Sequence, residues 1–91
     1  MAEMNESLIT LSFIDARIEH MILPAISLDE PFWYLAVIFD ARRADWRRSH
    51  RLVIVQQIES ESITQKTRDM LVELAKKKAY DTVLTQKGEP E

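Results

Sequence analysis

An unbroken apolar run, Phe32 to Phe39 (FWYLAVIF), constrains this chain more than any other stretch. Aromatic and β-branched residues dominate it, and such side chains fit a pleated strand better than a helix. With apolar groups at every position, both faces of that strand must be covered, as in a central strand. A second run, Leu52 to Val55, follows after the twelve residues Asp40 to Arg51. It reads as a neighbouring strand whose far end, at Gln56 and Gln57, approaches solvent. Twelve residues are long for a tight hairpin, and the only glycine is Gly88, so a glycine-based two-residue turn is excluded. Either the strands run past the core as a two-stranded arm, or residues 41–49 form a helical turn.

Upstream, the pattern changes phase. Leu11 and Phe13 lie on odd positions, whereas Ile14, Ala16, Ile18 and Ile22 alternate with Asp15, Arg17 and Glu19 on even ones. A flat strand cannot move its apolar face from odd to even, so one strand over this stretch predicts a bulge or bend between Phe13 and Ile14. A short helix from Asp15, with Ile14, Ile18, Met21, Ile22 and Ala25 at helical spacing, is the alternative, and Pro24 limits its length. Residues 24–31, bracketed by two prolines, read as a connecting loop.

Ser62–Gln65 has the form of a capping box. Ile63, Met70, Leu71, Val72 and Leu74 then supply an apolar stripe, with Glu61 at the start and Lys76, Lys77 and Lys78 toward the end complementing the helix dipole. A helix is predicted from about Ser62 to Tyr80, with Asp81 to Gln86 as a short fourth strand. The fold class is therefore α+β: an antiparallel sheet of three to four strands packed on a long C-terminal helix. Its order is a meander followed by the helix, or the ferredoxin-like βαββαβ arrangement. The 91 residues make a single domain, 1–91, with 1–6 and 87–91 as flexible ends. One helix cannot cover both faces of the sheet, which points to a homodimer formed through the uncovered face.

Composition narrows function by exclusion. The chain has no cysteine, so it has no disulfide framework and no thiolate metal site. The N-terminal residues carry two glutamates and no cation ahead of any apolar run, unlike a secretory signal, and the longest apolar run is too short to span a bilayer as a helix. A cytoplasmic protein away from the membrane is expected. Without glycine before Gly88, phosphate-cradling glycine loops are excluded. His20 and His50 stand 30 residues apart with no metal-ligand spacing around either, and His20 falls on the apolar-alternating face, as a core or interface histidine would. Asp40, Glu59 and Glu61 lack the lysine that a carboxylate nuclease site would add. No metal, cofactor or catalytic residue is expected.

One surface remains. Residues 41–51 carry five arginines against Asp45 alone, leaving seven cations against fourteen carboxylates elsewhere in a chain of net charge −3. Arginine's planar fork suits bidentate contact with carboxylate or phosphate, and Trp46 in its midst has the chemistry of an interface anchor or a base-stacking platform. The candidate partner-binding residues are Arg42, Arg43, Trp46, Arg47, Arg48, His50 and Arg51. A plainer possibility is that the arginines pair with carboxylates of the same chain while Trp46 lies on the core. The expected function is a small non-enzymatic protein-binding module, a regulator, inhibitor or adaptor. Nucleic-acid binding through the same segment is the alternative, disfavoured by an acidic chain of pI about 5.4.

Overall fold

The apolar phase change is a β-bulge. The computed structural model describes residues 8–22 and 31–90, with backbone alone for 21, 22, 31 and 32. The fraying expected at 1–6 lies outside the described residues, as does the loop expected over 24–31 except for Pro31, which opens a strand. Strand β1 (Ile9–Ile22) pairs antiparallel with β2 (Pro31–Arg43), and the register slips by one residue between Phe13 and Asp15. Ile9, Leu11 and Phe13 oppose Arg43, Ala41 and Phe39, whereas Ala16 and Ile18 oppose Val37 and Leu35. One side of the sheet thus receives odd residues before Ile14 and even residues after it. The helical alternative for this stretch does not form.

The bulge is held by its own side chains. Asp15 Oδ1 accepts from the Ala16 amide at 2.8 Å while Asp15 Oδ2 accepts from Arg17 Nε at 2.8 Å. Those donors hold the Asp15 carboxyl below its usual pKa, the Arg17 guanidinium contributing most. From across the core, Arg68 Nη2 donates to the Ala16 carbonyl at 2.5 Å.

Strand β3 (His50–Ile58) pairs antiparallel with β2 from Trp33↔Ile58 to Ala41↔His50, giving the sheet order β1-β2-β3. The meander, rather than the ferredoxin-like order, is what forms. Helix α1 (Gln65–Thr85) crosses one face of the sheet. Its buried stripe is Ala75, Ala79 and Val83, one residue per turn, flanked by Leu71 and Val72. The alanines let the helix backbone approach Leu35, Val37 and Phe39, which are fully buried. This rotates the stripe away from the one predicted: Met70 and Leu74 are exposed. Gln56, expected near solvent, is buried on the same face and donates from Nε2 to the Leu71 carbonyl at 2.7 Å.

The helix begins later and ends later than its sequence pattern suggests. Thr64, not Ser62, is the N-cap, its hydroxyl accepting from the Thr67 amide at 3.1 Å. Ser62 is instead engaged with Ser60, whose Oγ accepts from the Ser62 amide at 3.2 Å, and the Gln65 side chain reaches forward to Asp69. At the other end, the fourth strand considered for Asp81 to Gln86 does not form: Asp81 to Thr85 are the last turn and a half of α1, and Gln86 is its extended C-cap. The β-branched residues of this turn stay helical because Val83 is buried against Ile9, Ala41 and Trp46, and the Thr82 and Thr85 hydroxyls there donate back to the Lys78 and Asp81 carbonyls. The Lys76–Lys78 run consequently lies inside the helix, with no basic residue in its last turn.

Candidate functional site

The two strands flanking the arginines continue to Arg43 and from His50, leaving a six-residue loop, 44–49. Without glycine, the chain reverses through a turn in which the Trp46 amide donates to the Arg43 carbonyl at 2.8 Å, and the Ala44 amide ties the loop to the Leu8 carbonyl at 2.8 Å. This turn swings Trp46 back under the sheet. Its indole is 4% exposed and packs with Ile9, Ala41, Val83, Leu52 and Tyr80. Trp46 is therefore a core residue and presents no ring to a partner, the plainer of the two roles its position allowed.

Alternation along the strands then sorts the arginines. Arg43 points to the helix side. Its Nη1 donates to the Val83 and Gln86 carbonyls at 2.7 and 2.6 Å, tying the strand to the C-terminal end of α1, where the Gln86 amide also donates to the Val83 carbonyl at 3.3 Å. Its Nε and Nη2 fork onto Asp45 at 2.6 and 2.9 Å, and its guanidinium lies 5.3 Å from the Trp46 ring centroid. The ion pair holds the Asp45 carboxyl below, and the Arg43 guanidinium above, their ordinary values. Arg43 is thus a structural clamp. Arg42 and Arg51 project from the opposite face of the sheet, where Arg51 Nε donates to Asp40 Oδ1 at 3.1 Å. Arg47 and Arg48 stand at the loop, exposed. Among the described residues, the guanidinium groups of Arg42, Arg47 and Arg48 have no hydrogen-bond or ion-pair partner.

His50 sits edge-on to Trp46, ring centroids 5.3 Å apart, and its Nε2 is 2.7 Å from Glu89 Oε2. Glu89 also accepts from the backbone amides of Arg47, to Oε1 at 2.9 Å, and Arg48, to Oε2 at 3.3 Å. These contacts keep its carboxyl below the usual range, the Arg47 amide contributing most and His50 next. No pattern in the sequence marks Glu89, one carboxylate in a polar tail. His20, by contrast, is exposed and lies against the Trp33 ring at 4.9 Å rather than in the core.

Two further surfaces complete the picture. On the sheet face away from α1, Ala36 and Ile38 of β2 lie beside Val53 and Val55 of β3, which are 48% and 52% exposed. No described element covers the two valines, whereas Ala36 is buried. Ile14, set by the bulge on the same face as Asp15, is also exposed. Between β1 and α1, Phe13 leans edge-on against Phe39 at the floor of a groove of about 570 Å³, rimmed by Arg68, Asp69, Glu73 and Lys76. Among the described residues no group of three or more His, Asp or Glu side chains could hold a metal ion, and no helix is long and apolar enough to cross a membrane. Comparison with family models, curated proteins and solved structures yields no match to this chain.

Proposed function

We propose that this chain is a non-enzymatic protein-binding module that pairs with a second copy through the open sheet face. The observation that carries this is the row of half-exposed valines, Val53 and Val55, beside Ile38 and Ala36. Contiguous apolar patches on a sheet are uncommon on a monomer's surface unless something docks there. The patch has the anatomy of an interface, apolar at the centre with Arg17, Asp15, Glu19, Asp40, Arg42 and Arg51 around it.

Charge argues for a second copy as the occupant. The face is basic at its loop end, where Arg42 has no partner among the described residues and Arg51 joins Asp40, and acidic at the other end, where Glu19 accepts from the Tyr34 hydroxyl. Two copies related by a two-fold axis lying between the sheets and running across the strands would set each basic end over the other's acidic end. The expectation is a dimer at micromolar concentration by sedimentation equilibrium, converted to a monomer by the double substitution Val53→Glu and Val55→Glu with the far-ultraviolet circular dichroism unchanged. A wild-type chain that remains monomeric at several hundred micromolar would remove the dimer from consideration.

Nucleic-acid binding retains one supporting feature, the guanidiniums of Arg42, Arg47 and Arg48, which have no partner among the described residues. It loses the aromatic platform, since Trp46 is buried, and Arg43 is committed to the helix end. A salt-sensitive mobility shift with single- or double-stranded DNA or RNA, abolished by neutralising Arg42, Arg47 and Arg48, would favour it over a protein partner.

A further inference from the structure

The β2–β3 loop does more than reverse the chain. We propose that it is a carboxylate-binding site for an acidic peptide segment of a partner protein, and that Glu89 is its resident intramolecular occupant. Consecutive amides of Arg47 and Arg48 point at one carboxylate, each serving a different oxygen, at 2.9 and 3.3 Å, while His50 Nε2 adds a contact of 2.7 Å to the second oxygen. Successive amides converging in this way form an anion-receiving concavity.

The cradle is fixed in advance of any ligand. The preceding turn is closed by the Trp46 amide on the Arg43 carbonyl, the Trp46 side chain is anchored in the core, and Arg43 is forked onto Asp45. Donors held by the fold lose little freedom when an anion arrives. The donor set also exceeds what Glu89 uses. Arg47 and Arg48 line the same shallow hollow as Glu89 and Pro90, about 450 Å³ in volume, yet their guanidiniums have no partner among the described residues. One glutamate leaves two cations unneutralised, whereas a segment with several carboxylates would fill the amide cradle and pair with both forks. An acidic peptide, rather than a single small anion, is therefore the ligand that uses every donor present.

Glu89 must leave for such a ligand to bind, so the tail lowers the apparent affinity by the fraction of time it is seated. The inference extends the protein-binding reading, but it uses none of the apolar residues of the open sheet face and needs no dimer. Sedimentation tests the one and loop amide shifts the other, so either can fail alone.

The experiment is a ¹⁵N-amide titration of the full chain with hexaglutamate, and separately with inorganic phosphate at matched ionic strength. It uses the wild type, Glu89→Ala, and Glu89→Ala with Arg47→Ser and Arg48→Ser added. The expected result is movement of the Arg47 and Arg48 amides with hexaglutamate. Affinity should rise at least about tenfold in Glu89→Ala and fall again when the two arginines are replaced. Amides that stay still in Glu89→Ala, or equal affinities with and without Glu89, would overturn the proposal. Phosphate binding as tightly as hexaglutamate would overturn its assignment to a carboxylate peptide.

Discussion

Trp46 joins the loop to the rest of the fold, because one indole packs with residues from all three strands and the helix. Replacing it with alanine removes a large buried side chain from the core. Trp46→Ala is expected to lower the unfolding free energy by about 3–5 kcal/mol, read by urea denaturation. A change within about 0.5 kcal/mol, the usual range for a surface substitution, would mean the ring is not seated as described. The same cluster contains its own control. The Trp46 indole N–H and the Tyr80 hydroxyl are both buried without a hydrogen-bond partner among the described residues. An unsatisfied buried polar group is unfavourable by about 1–3 kcal/mol, so Tyr80→Phe should leave the thermal midpoint unchanged or raise it. A clear fall in midpoint would show that the hydroxyl has a partner after all.

The secondary-structure elements differ in how much of them is written locally. In β1 the phase change from Phe13 to Ile14 predicts the bulge, because strand alternation is a rule of geometry that no tertiary contact relaxes. The two apolar runs likewise give β2 and β3, and the presence of a single helix leaves one sheet face with no described element over it. The helix boundaries were less legible. Two Ser/Thr residues stand near the helix start, and it is the Thr64 hydroxyl that reaches the Thr67 amide, while the Ser62 backbone is bonded at both its amide and its carbonyl by the Ser60 hydroxyl. Thr64→Ala should lower stability by about 1 kcal/mol, while Ser62→Ala should stay within about 0.5 kcal/mol. The reverse order in a thermal or urea series would return the cap to Ser62. The C-terminal turn reads as strand in isolation and is helical only because Val83 finds a pocket beneath Trp46. Of the candidate site, the arginine-rich segment was visible as composition. Its division into a clamp (Arg43), a face (Arg42, Arg51) and a loop (Arg47, Arg48) was not, since that depends on which side of β2 and β3 each residue falls. Glu89 was invisible for a similar reason, its role arising only where tail and loop meet.

At the scale of the whole molecule, the tail and loop form a pH-dependent junction. The folded pKa of Glu89 is depressed below its ordinary value of 4.5 by the Arg47 amide, His50 and the Arg48 amide. A depressed carboxylate contributes stability above its unfolded pKa and loses it as pH falls through the folded value. The tail should therefore stay seated from neutral pH to near 4.5 and detach below it. The Arg47 and Arg48 amide resonances should report that release, with His50 as the ionisable side chain in contact with the carboxylate. Their movement well above pH 5, with no change below 4.5, would contradict the assignment. The bulge has a different reach. Because β1 changes phase at Ile14, its two halves are counted with opposite parity, and that single supernumerary residue keeps both halves facing the helix. A substitution at Ile14 leaves the count intact. Loss of one residue there exchanges the roles of everything before it, turning Thr10 and Ser12 inward and Ile9, Leu11 and Phe13 outward. For this chain, the length of β1 is as much a part of the encoded message as its letters.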